Sequence, residues 1–307
     1  MVNLSLRFKI VLALLIVYLV WGSTYLAIRI GVGDLPPALF AGARFIVSGV
    51  VIGIYARWRG MALPASWHEW KLIAVVGVLL LVGANGLVVW GEQWVPSNQA
   101  ALIIATTALW IAGIGTLGPQ GEALTRRAIV GLVVGFAGVL VLMFPHGQQL
   151  SFSHMTSHMT GHMIGQLAIM VSALLWACGS IYGKRQPSSV PPLMAAAMQM
   201  LIAGFILCGI GLTVGESGHW TWTLNGLGAL AYLIVFGSTT YAVYIWLVHT
   251  VTPTLLGTYA YVNPAVAVVL GWWVLGETLS AGQGLGILII VGGVLLVSTA
   301  KPLTQRK

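Results

Sequence analysis

Charge is scarce in this chain. Only 7% of its residues are Asp, Glu, Lys or Arg, against about 25% in soluble domains. With 58% hydrophobic residues, too little polar surface is left to clothe a water-soluble particle. The reading is a polytopic membrane protein. Cysteine is nearly missing as well. Cys178 and Cys208 both lie in apolar runs, which points to small buried hydrophobes rather than a disulfide or a metal site. No small-residue cleavage site follows the basic start at Arg7 and Lys9. The apolar run from Ile10 to Ile30 therefore reads as a spanning helix that is kept.

Chemistry-bearing sets are missing too. There is no paired-carboxylate arrangement, no H-E-x-x-H helix and no activated nucleophile, which argues against a membrane enzyme. All six acidic residues fall at the ends of apolar runs or in loops. Proton-driven carriers commonly use intramembrane carboxylates or histidines as relays. The expectation is facilitated diffusion or exchange, with proton-coupled antiport as the alternative.

Ten apolar runs are present, at about 10–31, 38–57, 70–90, 97–117, 127–144, 163–183, 191–213, 224–248, 254–275 and 281–299. A span needs roughly 20 mainly apolar residues, and runs this long point to helices rather than barrel strands. With the N-terminus placed in the cytoplasm, twelve of the fourteen Lys and Arg fall on the inner side. This positive-inside bias puts both termini inside. The outer side keeps Asp34, Glu92, Glu216 and Glu277.

The chain is also written twice. The stretch WGSTYLAIRIGVGDLPP at 21–37 returns as WACGSIYGKRQPSSVPP at 176–192, a shift of 155 residues. The same shift carries Gly49 onto Gly204, Glu122 onto Glu277 and Gly138 onto Gly293. Five helices per copy force the second copy to enter the membrane upside down. That explains why the first exits into GVGD and the second into GKRQ, where positives belong. The expected fold is an all-α integral membrane protein. It has ten transmembrane helices in two inverted five-helix repeats, at 1–150 and 163–300, with N and C termini cytoplasmic. Such repeats are typical of secondary transporters, with the substrate site at their interface.

Several residues are candidates for that site. Pro264 interrupts the ninth run beside Asn263, and the fourth run offers Thr106 and Thr107 near the matching depth. Interrupted helices often mark sites, although a packing kink is the structural alternative. Trp21, Trp176, Tyr241, Tyr259 and Asn85 fall well inside their runs, where a polar edge needs a partner or a wet cavity. Thr239 joins them. Trp58, Trp67, Trp70, Trp94 and Trp220 fit the interfacial belt instead. Arg44 lies about two turns into the second run. It either forks onto a substrate carboxylate or snorkels outward to pair with Asp34 or Glu277. Gly131, Gly135, Gly138, Gly286 and Gly293 allow close helix approach, within one chain or across a homodimer. His154, His158 and His162 recur every four residues. If helical they could hold a metal, but an irregular polar loop is the plainer reading and no metal site is assigned.

The stretch WGSTYLAIRIGVGDLPPALFAGARF (21–45) and the run NPAVAVVLGWWVLGETLSAGQGLGILIIVGGVLLV (263–297) resemble the EamA family of the drug/metabolite transporter superfamily. Leu275-Gly276-Glu277 matches the family's Leu-Gly-Glu before its last helix. In the first half the match degrades to GPQGEAL at 118–124, and the fourth run has no proline. The resemblance implies a transporter without cofactor or nucleic-acid partner, monomeric or homodimeric in the lipid bilayer of the inner membrane. It implies alternating access and a small-molecule cargo. YddG-type exporters of neutral or aromatic amino acids are the best analogy, with a broader drug and metabolite exporter as the alternative. The expected lining is Trp21, Arg44, Asn85, Thr106, Trp176, Thr239, Tyr241, Tyr259 and Asn263.

Overall fold

The computed structural model describes residues 4–121, 123–143, 158–275 and 281–300. Every regular element among them is helical. The first half runs through α1 (Leu4–Asp34), α2 (Pro37–Trp58), α3 (Trp67–Gly77), a π-helical segment (Val78–Asn85) that continues into α4 (Gly86–Gly91), α5 (Ser97–Ala105), α6 (Thr107–Gly115) and α7 (Arg126–Met143). The second half has α8 (His158–Arg185), α9 (Pro192–Thr213), α10 (Leu224–Tyr232), a π-helical segment (Leu233–Gly237) that continues into α11 (Ser238–Thr250), α12 (Pro253–Leu256), α13 (Tyr259–Leu275) and α14 (Ala281–Ser298).

The halves share their punctuation. Pro37 and Pro192 open α2 and α9 from the first turn, where a missing N–H costs nothing. Gly60 and Gly215 follow those same two helices with φ of +76° and +79°, a left-handed turn that glycine adopts without strain. The π segments begin at Val78 and Leu233, again 155 residues apart. Ser66 and Glu69 close a capping box on α3. Glu216 reaches across to accept the Ala38 and Leu39 amides at the start of α2, at 3.2 and 2.8 Å.

The halves pack most closely along two seams, α2 against α9 and α7 against α14. Backbones nearly touch there. A Cβ added to Gly42 would lie 3.0 Å from the Gly204 carbonyl, and one added to Gly204 would lie 3.0 Å from that of Gly42. Gly131 meets the Gly293 carbonyl, and Gly138 that of Gly286. The Gly-rich faces are thus used inside one chain. In lipid, such close approach replaces the hydrophobic effect as the source of helix association.

Among the described residues, six helices are long and apolar enough to cross a membrane: Leu6–Asp34, Pro37–Trp58, Trp67–Gly91, Gly161–Arg185, Pro192–Thr213 and Leu224–Thr250. The other four apolar runs correspond to shorter or interrupted helices. One is broken at Thr106, between α5 and α6, and another between α12 and α13 at Gly257–Thr258.

Candidate substrate cavity

The two repeats meet around a cavity lined from α1, α2, α4, α5, α6, α8, α11 and α13. Aromatic rings make much of its wall. Trp21 of α1 lies 5.2 Å from Trp176 of α8, edge to face, and 5.2 Å from Tyr259 of α13. Tyr244 closes the cluster behind them, 4.9 Å from Trp21. Tyr241 approaches Trp176 at 6.3 Å. These edge-to-face distances are the favoured ones for aromatic pairs. The rings can pack this way because α1 runs close against α13. A Cβ on Gly22 would fall 2.5 Å from Val266 and 3.2 Å from the Asn263 carbonyl, next to the Pro264 interruption.

Polar groups are few. Arg44, Asn85, Thr107, Ser172 and Ser238 line the cavity. Arg44 is the one charged group among its described lining residues. Its Nη2 donates to Asn85 Oδ1, and its guanidinium lies 4.4 Å above the Phe45 ring. Its Nε, though buried, has no partner among the described residues, and neither does the Thr107 hydroxyl.

The expected pairing of Arg44 with Asp34 does not form. Asp34 Oδ2 accepts from the Thr223 hydroxyl at 2.6 Å instead, and Glu277 lies outside the described residues. Trp21, Arg44, Asn85, Trp176, Tyr241 and Tyr259 are brought together on one wall. Thr106 and Thr239 are not. Each hydroxyl turns back onto its own helix, to the Ile103 carbonyl at 2.7 Å and the Val235 carbonyl at 2.5 Å. Thr107 and Ser238, one residue away in each case, take the cavity-facing places. The wide turns of the π segment and the break at Thr106 rotate the face that a regular 3.6-residue period assigns. Asn263 is buried behind the wall, and its amide has no partner within hydrogen-bonding geometry among the described residues.

Glu92 keeps the turn after α4 that its place at the end of an apolar run predicts, but it is fully buried there instead of facing water, and both carboxylate oxygens lack a hydrogen-bond partner among the described residues. The absence of a buried acid therefore no longer argues for uncoupled transport.

A second, smaller cavity lies toward the end that carries Lys184 and Arg185. Leu80, Ser180 and Gln199 line it. Between the two cavities the wall is sealed by hydrogen bonds. The Tyr241 hydroxyl donates to Gln199 Oε1 at 2.8 Å, Trp176 Nε1 donates to the Tyr244 oxygen at 2.8 Å, and the Ser180 hydroxyl is hydrogen-bonded to that oxygen at 2.6 Å.

The profile of the EamA-like transporter family matches this chain twice, at residues 8–144 and 163–299. The chain belongs to the EamA-like transporter family. It is 37% identical over 297 residues to the Uncharacterized inner membrane transporter YedA of Escherichia coli K12, across 96% of this chain and 92% of the other. It is 24% identical to the Uncharacterized transporter YoaV of Bacillus subtilis, across 94% and 96%. A solved crystal structure shares the fold at a TM-score of 0.75 and 23% identity, covering 94% of this chain and 95% of the other.

The unit of that profile is therefore present twice in this chain, and residues of both copies line the cavity. The family and its relatives are transporters rather than enzymes. Of the three histidines at 154, 158 and 162, His154 lies outside the described residues. The described residues hold no group of three His, Cys, Asp or Glu side chains able to bind a metal ion.

Proposed function

We propose that this EamA-like transporter exports neutral or aromatic amino acids, or similar small amphipathic metabolites, across the inner membrane. Its ten helices would form two inverted repeats, spanning 1–150 and 163–300, with both termini cytoplasmic. The observation that carries the cargo reading is a single cation, Arg44, among the described lining of a cavity walled by Trp21, Trp176, Tyr241 and Tyr259. One guanidinium fits one carboxylate in a two-pronged fork. Phosphorylated or nucleotide-linked cargo would want several Arg or Lys. The rings would take an apolar or aromatic side chain, and Asn85 would orient the headgroup, with Asn263 behind. Thr106 and Thr239, whose hydroxyls bond their own helices, have no direct part in this reading.

The route would be alternating access. The central cavity reaches the outer half of the membrane, and the smaller one the cytoplasmic half. Parting Tyr241 from Gln199 and Tyr244 from Ser180 would join them. Repeat-swapped rocking of the two halves is the expected motion.

The test is flux. The purified protein in liposomes should carry labelled phenylalanine, tryptophan or leucine saturably. An Arg44→Gln variant of equal thermal stability should lose most of that flux. Wild-type protein that moves none of these, but moves a cationic drug, would favour the broader drug and metabolite reading.

A further inference from the structure

The charges beside the central cavity are not shared between the repeats. Arg44 on α2 corresponds to Gln199 on α9 at the 155-residue shift. Glu92 corresponds to Leu247, or to Val248 with the one-residue slippage found near Val95, and both of those are buried. Arg29, by contrast, has a cationic mate in Lys184. Each of these two reaches carbonyls at the end of a neighbouring helix: Arg29 those of Glu92 and Gln93, Lys184 that of Val251 at 2.8 Å. Cations at helix C-termini satisfy the last carbonyls. That cap works in the second repeat with aliphatic side chains at the place of Glu92. The carboxyl group is therefore no requirement of the cap. It occurs in the half that carries Arg44.

The surroundings of Glu92 are defined. Arg29 of α1 donates to the Glu92 carbonyl, and α1 with Tyr25 and α2 with Arg44 both pack against α4, which Glu92 ends. From α8, His162 Nδ1 comes within 3.1 Å of the Trp94 carbonyl, two residues further on. Tyr25 and Arg44 also line the cavity, so Glu92 lies behind the wall they build. The carboxyl oxygens and the Arg44 Nε are buried and make no hydrogen bond among the described residues. An ionised carboxylate in that condition is strongly disfavoured. Such a group keeps a proton or finds a counter-ion.

We propose that Glu92 is a proton-binding site linked to anion capture at Arg44. Protonated Glu92 leaves Arg44 free for the carboxylate headgroup of a cargo molecule; ionised Glu92 pairs with Arg44 and closes that place to cargo. The inference rests on reading the central cavity as the cargo site. One proton passes from water to the Glu92 carboxylate as one monoanionic headgroup binds, so loading leaves the net charge of the site unchanged. Cargo and proton then occupy the same carrier state, so export carries a proton outward and runs only on a cargo gradient larger than the opposing proton gradient. Acid on the loading side promotes loading, and acid on the release side slows release. Uncoupled diffusion is not expected.

The experiment uses the full chain in detergent, with phenylacetate and L-phenylalanine as probes, followed by calorimetry in buffers of different ionisation heat. Above the Glu92 midpoint, affinity for both probes should fall about tenfold per pH unit, with about one proton taken up per probe bound. Glu92→Gln should keep binding, with a flat pH profile and no proton uptake. If Glu92→Gln does not fold, Glu92→Asp should keep the slope and move the midpoint. The infrared carbonyl band of a protonated carboxylic acid should be present in wild type and missing from Glu92→Gln. A flat wild-type profile, an unchanged slope in Glu92→Gln, or no carboxylate binding at any pH overturns the inference. Carboxylate binding with the expected slope but no phenylalanine flux would sink the amino-acid cargo and leave the proton-linked anion site standing. Phenylalanine flux indifferent to pH and to Glu92→Gln would do the reverse.

Discussion

The Tyr241 hydroxyl donates to Gln199 Oε1 at 2.8 Å, and that bond separates the central cavity from the smaller one. Tyr241 lines the first and Gln199 the second. Both are buried, at 2% and 4% exposure, so neither can exchange its partner for water while the contact is closed. Removing one partner leaves the other unsatisfied at a cost of about 1–3 kcal/mol. That penalty falls on the closed arrangement alone, because the open one is wet. Tyr241→Phe should therefore shift the population toward opening between the cavities. A cysteine replacing Ala84 on the cavity wall would report it. It should react faster with a membrane-impermeant thiol reagent applied from the side of Arg57 and Lys184 when Tyr241 is Phe. Equal rates in both backgrounds would show that the bond does not hold the cavities apart.

Trp176 does two things in the wall. Its ring packs against Trp21 and Tyr244, and its Nε1 donates to the Tyr244 oxygen. Trp176→Ala should raise the transport KM for an aromatic amino acid by about tenfold or more, a loss of about 1.4 kcal/mol of binding. Trp58→Ala should leave it unchanged, since Trp58 is 78% exposed at the end of α2. Liposome flux with the two variants side by side makes the comparison. Equal effects would mean that ring loss acts on the fold and not on the cavity.

Adjacent glycines on α14 should behave in opposite ways. A Cβ on Gly293 would lie 2.5 Å from the Gly135 nitrogen, and that atom is backbone, which cannot step aside. A Cβ on Gly292 meets nothing within 4 Å. Gly293→Ala should destabilise the protein by about 1–3 kcal/mol through overpacking. Gly292→Ala should be neutral or slightly stabilising, as glycine to alanine usually is in a helix. Thermal melts in detergent decide between them. A Gly293→Ala protein as stable as wild type would mean that the α7–α14 seam yields more readily than its geometry suggests.

The proposed topology is checked with single cysteines in a background carrying Cys178→Ser and Cys208→Ser. Gly60→Cys and Ser188→Cys should label from one face of the membrane, and Gly218→Cys from the other. Labelling of Gly60 and Gly218 from the same face would break the inverted arrangement.

Much of this was legible in the chain itself. The repeat could be read because duplication leaves a constant offset, and Gly60 with Gly215 and Val78 with Leu233 obey it in the fold. The aromatic wall could be read because Trp and Tyr deep in apolar runs need partners. The threonines were misplaced because a π turn or a broken helix changes the face, and hydropathy carries no record of either. Glu92 was hidden by its position. It ends an apolar run, where acids usually meet water, and its burial comes from α1, α2 and α8 folding over it. Neighbours distant in sequence decide such a case, and the local pattern does not contain them.

The crossing of Gly131 with Gly293 and of Gly138 with Gly286 has a counterpart in quaternary structure. Each half offers the other a face equivalent to its own, which is how an isologous dimer is built. The covalent link between the halves then adds local concentration and little geometry. A chain cut between Met143 and His158 and expressed as two pieces should reassemble through the same glycine faces, with neither piece stable alone.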